Sequence, residues 1–209
     1  DKQIAIAIGE ISRIEALISS WKTTSETSNI NKNAGVNPVK VSEELFSLIQ
    51  RALQISNLTD GAFDISYASM DKLWKYDGSM TQMPSKEAIK KSVAKVGYQD
   101  IIVDPKNSTV FLKNKGMKIG FGAIGKGYAA DKAKKLLISN GVSGGIINAS
   151  GDLNSWGSKP SGSSWQVAIT NPLNKNKAFA MLPIKDAVVT SGNYEKYVTF
   201  NSRRYSHII

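Results

Sequence analysis

The sequence predicts an α+β fold, with helices mostly in the N-terminal half packed on a largely antiparallel sheet. Three observations carry this. Apolar residues recur at helical spacing in three segments before residue 97. From Tyr98 the period shortens, and short segments of strand character follow one another between turn signals. One further helix stands among these strands, so the order is not the repeating strand–helix–strand of a parallel sheet.

The first helix is expected over residues 4–21, with Ile4, Ile8, Ile11, Ile14, Ile18 and Trp21 near one face. The Ser-, Thr- and Asn-rich stretch from Thr23 to Pro38 reads as a loop. Ser42 is a good N-cap, and Glu43 and Glu44 suit the positive end of a helix dipole. Leu45, Leu48, Ile49, Ala52 and Leu53 then form an amphipathic helix that stops near Asn57. Asp60-Gly61 signals a turn, followed by a short extended piece to Ser66 and an irregular stretch over 67–84. Ser85 caps a third helix with Ile89, Val93 and Val96 facing inward, and Gly97 ends it. Strands are expected at Ile101–Val103, Thr109–Leu112 and Met117–Phe121, the first two joined by a turn at Asp104–Asn107. A helix follows from about Ile124 to Asn140. Later strands fall near 145–149, 165–170, 178–183, 187–190, 195–200 and 204–208.

The chain has 209 residues, 41% of them apolar and 21% charged, which is ordinary globular composition. No stretch is long and apolar enough to read as a membrane span. Formal net charge is +10, yet only four of the 27 basic residues are Arg: Arg13, Arg51, Arg203 and Arg204. A Lys excess spread along the chain argues against a nucleic-acid reader, which favours Arg for bidentate base contacts, and suits attraction of an anionic substrate. Cysteine is absent, which removes thiolate chemistry and Cys–metal sites. His207 is the only histidine.

The most chemically suggestive segment is Gly120-Phe-Gly122-Ala-Ile-Gly125-Lys126-Gly127-Tyr128. It lies where a strand is expected to pass into a helix. Backbone N–H groups there point out at the positive end of the dipole, and Lys126 adds a full charge, so an anion site is physically reasonable. Two phosphate-binding patterns nearly fit. Gly120-x-Gly122-x-x-Gly125 has the dinucleotide spacing but falls past mid-chain, and no acidic residue stands about 20 positions on. Gly120-x4-Gly125-Lys126 lacks the following Ser or Thr of a P-loop, having Gly127 instead. The alternative is that these glycines only allow tight strand–helix packing.

Four blocks in order resemble the FAD:protein FMN transferase family, also called the ApbE family and formerly thiamine-biosynthesis lipoproteins. Asp60-Gly-Ala-Phe-Asp64-Ile is close to its DGAFDIT segment, and Gly122-Ala-Ile-Gly-Lys126-Gly-Tyr-Ala-Ala-Asp131 to GAIAKGYAVD. Ile147-Asn148-Ala-Ser-Gly151-Asp152-Leu is close to VNAGGDI. Ala187-Val-Val-Thr190-Ser191-Gly192-Asn-Tyr194-Glu195 and Arg204-Tyr205-Ser206-His207-Ile-Ile are close to ATSGDYER and RYSHIID. The resemblance covers nearly the whole chain and implies a single ApbE-like flavin transferase domain over 1–209, truncated at both ends.

The resemblance further implies an enzyme that splits FAD at the pyrophosphate. It would move FMN to a Thr or Ser hydroxyl of a flavoprotein carrying a D-G-x-x-S/T-G-A-T-like motif and release AMP, with Mg as cofactor. Carried over position by position, Trp21 stands where the family sets an aromatic against the flavin. Ala62, Phe63 and Asp64 line the FAD site, and Lys126 contacts the nucleotide. Ala123 matches a metal-binding main-chain position. His207 and Ile208 lie beside the cofactor, with His207 and Asp64 the catalytic candidates. Gly120 stands where many members have Asp, which removes one side-chain contact. The family's later Asp-Pro-x-Thr-Gly and D-A-x-x-T segments, which complete the metal site, are not in this sequence. Two other readings follow from that: an FAD-binding protein without transferase activity, and a Mg-dependent FAD pyrophosphatase. The expected location is the periplasm or the outer face of the bacterial envelope, with a lipid anchor upstream of Asp1. The whole reading expects the bend before the helix at 124 to be an open cradle for the diphosphate.

Overall fold

The computed structural model describes residues 2–171, 173–190, 192 and 197–206, with Lys175 described by its backbone alone. The chain forms two compact units. One comprises Asp1–Ile14, Ala123–Thr199 and Arg203–Ile209; the other comprises Glu15–Gly122 and Phe200–Ser202. Helices α1 (Lys2–Ile18), α2 (Glu26–Lys32), α3 (Glu43–Leu58) and α4 (Lys86–Val93) precede α5 (Gly125–Ser139). Among the described residues the strands form four small antiparallel sheets rather than one. The α+β expectation holds, with the strands concentrated after residue 100.

In the Glu15–Gly122 unit, β1 (Val39–Lys40), β2 (Ile101–Asp104) and β3 (Thr109–Leu112) pair in the order β1-β3-β2. The β2–β3 hairpin turns where Asp104-Pro-Lys-Asn107 predicts. The Asn107 side chain and the Lys106 N–H hold the Asp104 carboxyl below the usual carboxylate range. Those bonds therefore support the turn at neutral pH and are lost as acid protonates the carboxylate. Ser42 caps α3 through the Leu45 N–H, and the helix buries Leu45, Phe46, Leu48, Ile49 and Ala52. Each of the four larger side chains contributes roughly 1.5–3 kcal/mol.

Four expectations fail here for identifiable reasons. α1 ends at Ile18; it buries Ile14, Leu17 and Ile18, while Ile4 and Ile8 are exposed. The stretch expected as a loop contains α2. Its Ser25, Thr27 and Ser28 are buried because their hydroxyls donate to the Leu17 and Ser19 carbonyls at the end of α1. The piece after Gly61 is not a strand but leads into a 3₁₀ turn, η1 (Ile65–Ser69), capped by Asp64. In α4 the buried residue is Ser92, and Val93 is exposed.

Met117–Phe121 is also not a strand, although Met117, Ile119 and Phe121 are buried as alternation predicts. Side chains supply the partners a neighbouring strand would. The Lys118 N–H donates to Ser69 Oγ (2.8 Å), which donates back to the Lys118 carbonyl (2.9 Å). Asn31 accepts from the Ile119 N–H (2.8 Å) and donates to the Ile119 carbonyl (3.0 Å). Asn31→Ala strips both partners from a fully buried residue. It should cost about 2 kcal/mol, read as a lower urea midpoint at unchanged slope; an unchanged midpoint would show that water replaces the amide.

In the other unit, α5 packs on β4 (Gly145–Ala149) and β5 (Asp152–Trp156) through Ala129, Ala130, Ala133 and Leu137. β8 (Ala187–Val188) pairs with β5 on its far side. β5 was not expected from the sequence. The hairpin between β4 and β5 turns on Ser150 and Gly151, both at positive φ (56° and 96°), the geometry of a two-residue turn. β6 (Trp165–Asn171) and β7 (Asn174–Ile184) make a separate ribbon, and β9 (Tyr197–Phe200) pairs with β10 (Arg203–Ser206).

Candidate functional site

In the Glu15–Gly122 unit, three segments distant in sequence meet where the glycine bend begins. The Gly120 N–H donates to the Ile65 carbonyl (2.9 Å), which ties the bend to η1. A Cβ placed on Gly120 would come 3.0 Å from Ala68 Cβ and 3.8 Å from Ser20 Oγ. A side chain at this position would therefore press on Ala68. Trp21, next to Ser20, lies beyond α1 and is 75% exposed, so it is not part of that helix's buried face. The Lys72 ammonium sits 5.2 Å from the centre of its ring, close enough for a cation–π contact.

Asp64 sets the position of η1. Its Oδ1 accepts from the Ser66 N–H (2.7 Å) and its Oδ2 from the Tyr98 N–H (2.9 Å). Both oxygens thus hold backbone, and the expected catalytic carboxylate has a structural task in this chain. Phe63 is half-buried and Ala62 exposed on the turn before it. Gly122 and Ala123 are exposed, so the bend is open to solvent.

In the Ala123–Thr199 unit, Ile124 begins α5 with no side-chain cap. The first amides of the helix are left for water or a ligand, at the positive end of its dipole. Lys126, in that first turn, donates to Asp152 Oδ1 (2.8 Å) and the Ser150 carbonyl (3.2 Å). Its side chain is 48% exposed and that of Asp152 is 11% exposed. A cavity of about 120 Å³ opens beside this pair, lined among others by Gly127, Asp131, Asp152, Asn154 and Val189. Its polar wall is braced from α5. Lys134 donates to Asn154 Oδ1 (2.9 Å) and the Ser155 carbonyl (2.8 Å), and Asn154 donates to Asp131.

The structure therefore gathers Trp21's segment, the Asp64 turn and Gly120 in one unit, and places Ala123 and Lys126 in the other. His207 and Ile208 lie outside the described residues. Among the described residues no group of three or more His, Asp or Glu side chains is placed to hold a metal. Lys72, Tyr67 and Lys134 were not singled out from the sequence. Lys134 reads there as one more solvated helix lysine, and nothing local marks it otherwise.

The sequence profile of the ApbE family matches residues 2–209. An FAD:protein FMN transferase of Klebsiella pneumoniae (strain 342) is 33% identical over 201 residues, covering 95% of this chain and 62% of that protein. One from Escherichia coli (strain K12) is 31% identical, covering 93% and 57%. The crystal structure of the ApbE protein from Thermotoga maritima MSB8 superposes with a TM-score of 0.86 at 32% identity, covering all of this chain and 68% of that one. The apo form of the Pseudomonas stutzeri flavinyl transferase ApbE gives 0.79 at 27% identity, covering 97% and 64%. The chain spans about three fifths of the length of the curated relatives it matches.

Proposed function

The chain belongs to the ApbE family, and from that membership we propose that it transfers FMN from FAD to a Thr or Ser hydroxyl of a target flavoprotein, releasing AMP. The observation that carries the reading is the open glycine bend, where exposed Gly122 and Ala123 lead into the uncapped amides of α5 and the charge of Lys126. The FAD diphosphate is an anion that such a bend suits. In the step itself, the acceptor oxygen bonds to the FMN phosphorus. The bond from that phosphorus to the bridging oxygen breaks, and AMP leaves with that oxygen. The hydroxyl proton passes to a base, for which the resemblance offers His207. Little covalent chemistry is asked of the protein, so positioning and charge neutralisation dominate. Lys126 and the α5 amides would neutralise the diphosphate, and the flavin contact is the one the resemblance assigns to Trp21. Magnesium dependence is part of the proposal: when bound, the ion would add positive charge at the phosphates.

The proposal extends to the acceptor, a flavoprotein subunit with a D-G-x-x-S/T-G-A-T-like motif. It extends also to place: the periplasm or outer face of the bacterial envelope, reached through an upstream lipid anchor. Family habit supports this, and the cysteine-free composition is compatible with it. Among the described residues no helix is long and apolar enough to cross a membrane.

Incubation with FAD, Mg²⁺ and an acceptor bearing the motif should give an acceptor band that fluoresces in a denaturing gel. FAD retained without AMP release would instead indicate a binding protein. FMN and AMP formed without labelled acceptor would indicate a pyrophosphatase.

A further inference from the structure

We propose that the Tyr67 hydroxyl donates a hydrogen bond to the diphosphate at the glycine bend. The inference rests on the reading of that bend given above and adds a substrate-binding residue to it. Tyr67 belongs to η1, whose start is fixed twice: Asp64 caps it, and the Ile65 carbonyl accepts from the Gly120 N–H. The residue is 39% exposed, and its hydroxyl has no protein partner among the described residues.

That hydroxyl rests against Gly122. A Cβ added at Gly122 would overlap the phenolic oxygen, whereas the ring carbon Cζ would stand 3.7 Å away, an ordinary contact. Gly122 is not in the left-handed region, so its backbone tolerates an L side chain. The hydroxyl is therefore the atom that a side chain at this position would displace. A hydroxyl held against exposed Gly122, where the bend begins, is placed to meet a phosphate oxygen. A bond from a neutral donor to a charged acceptor is among the stronger ones.

The test measures FAD affinity of the protein by flavin fluorescence for wild type, Tyr67→Phe, Gly122→Ala and the double variant. Tyr67→Phe should raise the dissociation constant about tenfold, with the thermal midpoint unchanged because the ring packing stays. Gly122→Ala should weaken binding at least as much, since its methyl displaces the hydroxyl. In the double variant the alanine should add nothing, because the phenyl ring leaves room for it. A Tyr67→Phe affinity within twofold of wild type overturns the inference while leaving the functional reading intact. So does an alanine penalty that persists in full on the Phe background. Absence of saturable FAD binding by the wild type would sink the functional reading first and this inference with it.

Discussion

Lys126→Ala should slow covalent flavin transfer to the acceptor about a hundredfold, the usual loss when a preorganised charge is removed from a developing anion. The lysine stands in the first turn of α5. In the free protein its ammonium is held by Asp152 and the Ser150 carbonyl. A diphosphate carries more charge than one carboxylate and can draw it away. The loss should be chemical, not structural. The lysine is half exposed, so screening limits the pair's stability contribution to about 1 kcal/mol or less. Asp152, left alone, can hydrate through the cavity it lines. The expected result is a folded protein with an unshifted circular dichroism spectrum, weaker FAD binding and a faint fluorescent acceptor band. Lys126→Arg should recover part of the activity, since the charge remains but the planar fork fits the turn differently. Wild-type transfer and affinity in Lys126→Ala would remove this residue from the site.

Gly157→Ala should be the most damaging of these changes to stability, at about 4 kcal/mol. Gly157 follows β5 at φ +59°, a conformation that already costs an alanine about 1–2 kcal/mol. Its added methyl would also overlap the Ser143 carbonyl oxygen and lie 2.8 Å from the Gly144 Cα. These are backbone atoms just before β4, so no rotamer change relieves the clash. The hairpin is pinned further by the Trp156 indole, which donates to the Val142 carbonyl (2.9 Å). Moving the two segments apart would break that bond and shift the strand that carries Asp152 and Asn154. A lower urea midpoint with reduced FAD affinity is expected. A midpoint near wild type would mean that the close approach of the two segments is not needed for folding.

The parts of the fold that were legible in the sequence are those whose cause is local. Ser42 and Ser85 cap α3 and α4 as expected because a cap needs only its own side chain and an amide three residues on. The turn at Asp104–Asn107 is equally self-contained. β5 was invisible for the opposite reason. Its buried positions include Asp152, Asn154 and Ser155, which break any hydrophobic pattern. They are tolerated only because Lys126, Asp131 and Lys134 on α5 and the Asp186 carbonyl satisfy them across the packing interface. The buried hydroxyls of α2 and the side-chain clamps on Lys118 and Ile119 follow the same rule.

The site divides in the same way. Order and spacing of motifs alone determined the family, the glycine bend and the interest of Lys126, because such motifs are runs of neighbouring residues. Tertiary structure alone decided that Asp64 spends its carboxylate on two amides, that Asp152 holds Lys126, and that the Tyr67 hydroxyl stands against Gly122. Each of these is a meeting of atoms from segments at least 26 residues apart, or a choice among competing local partners. A linear pattern records which groups are present; only folding decides which of them find one another, since a buried polar group is stable only beside the partner that replaces its water.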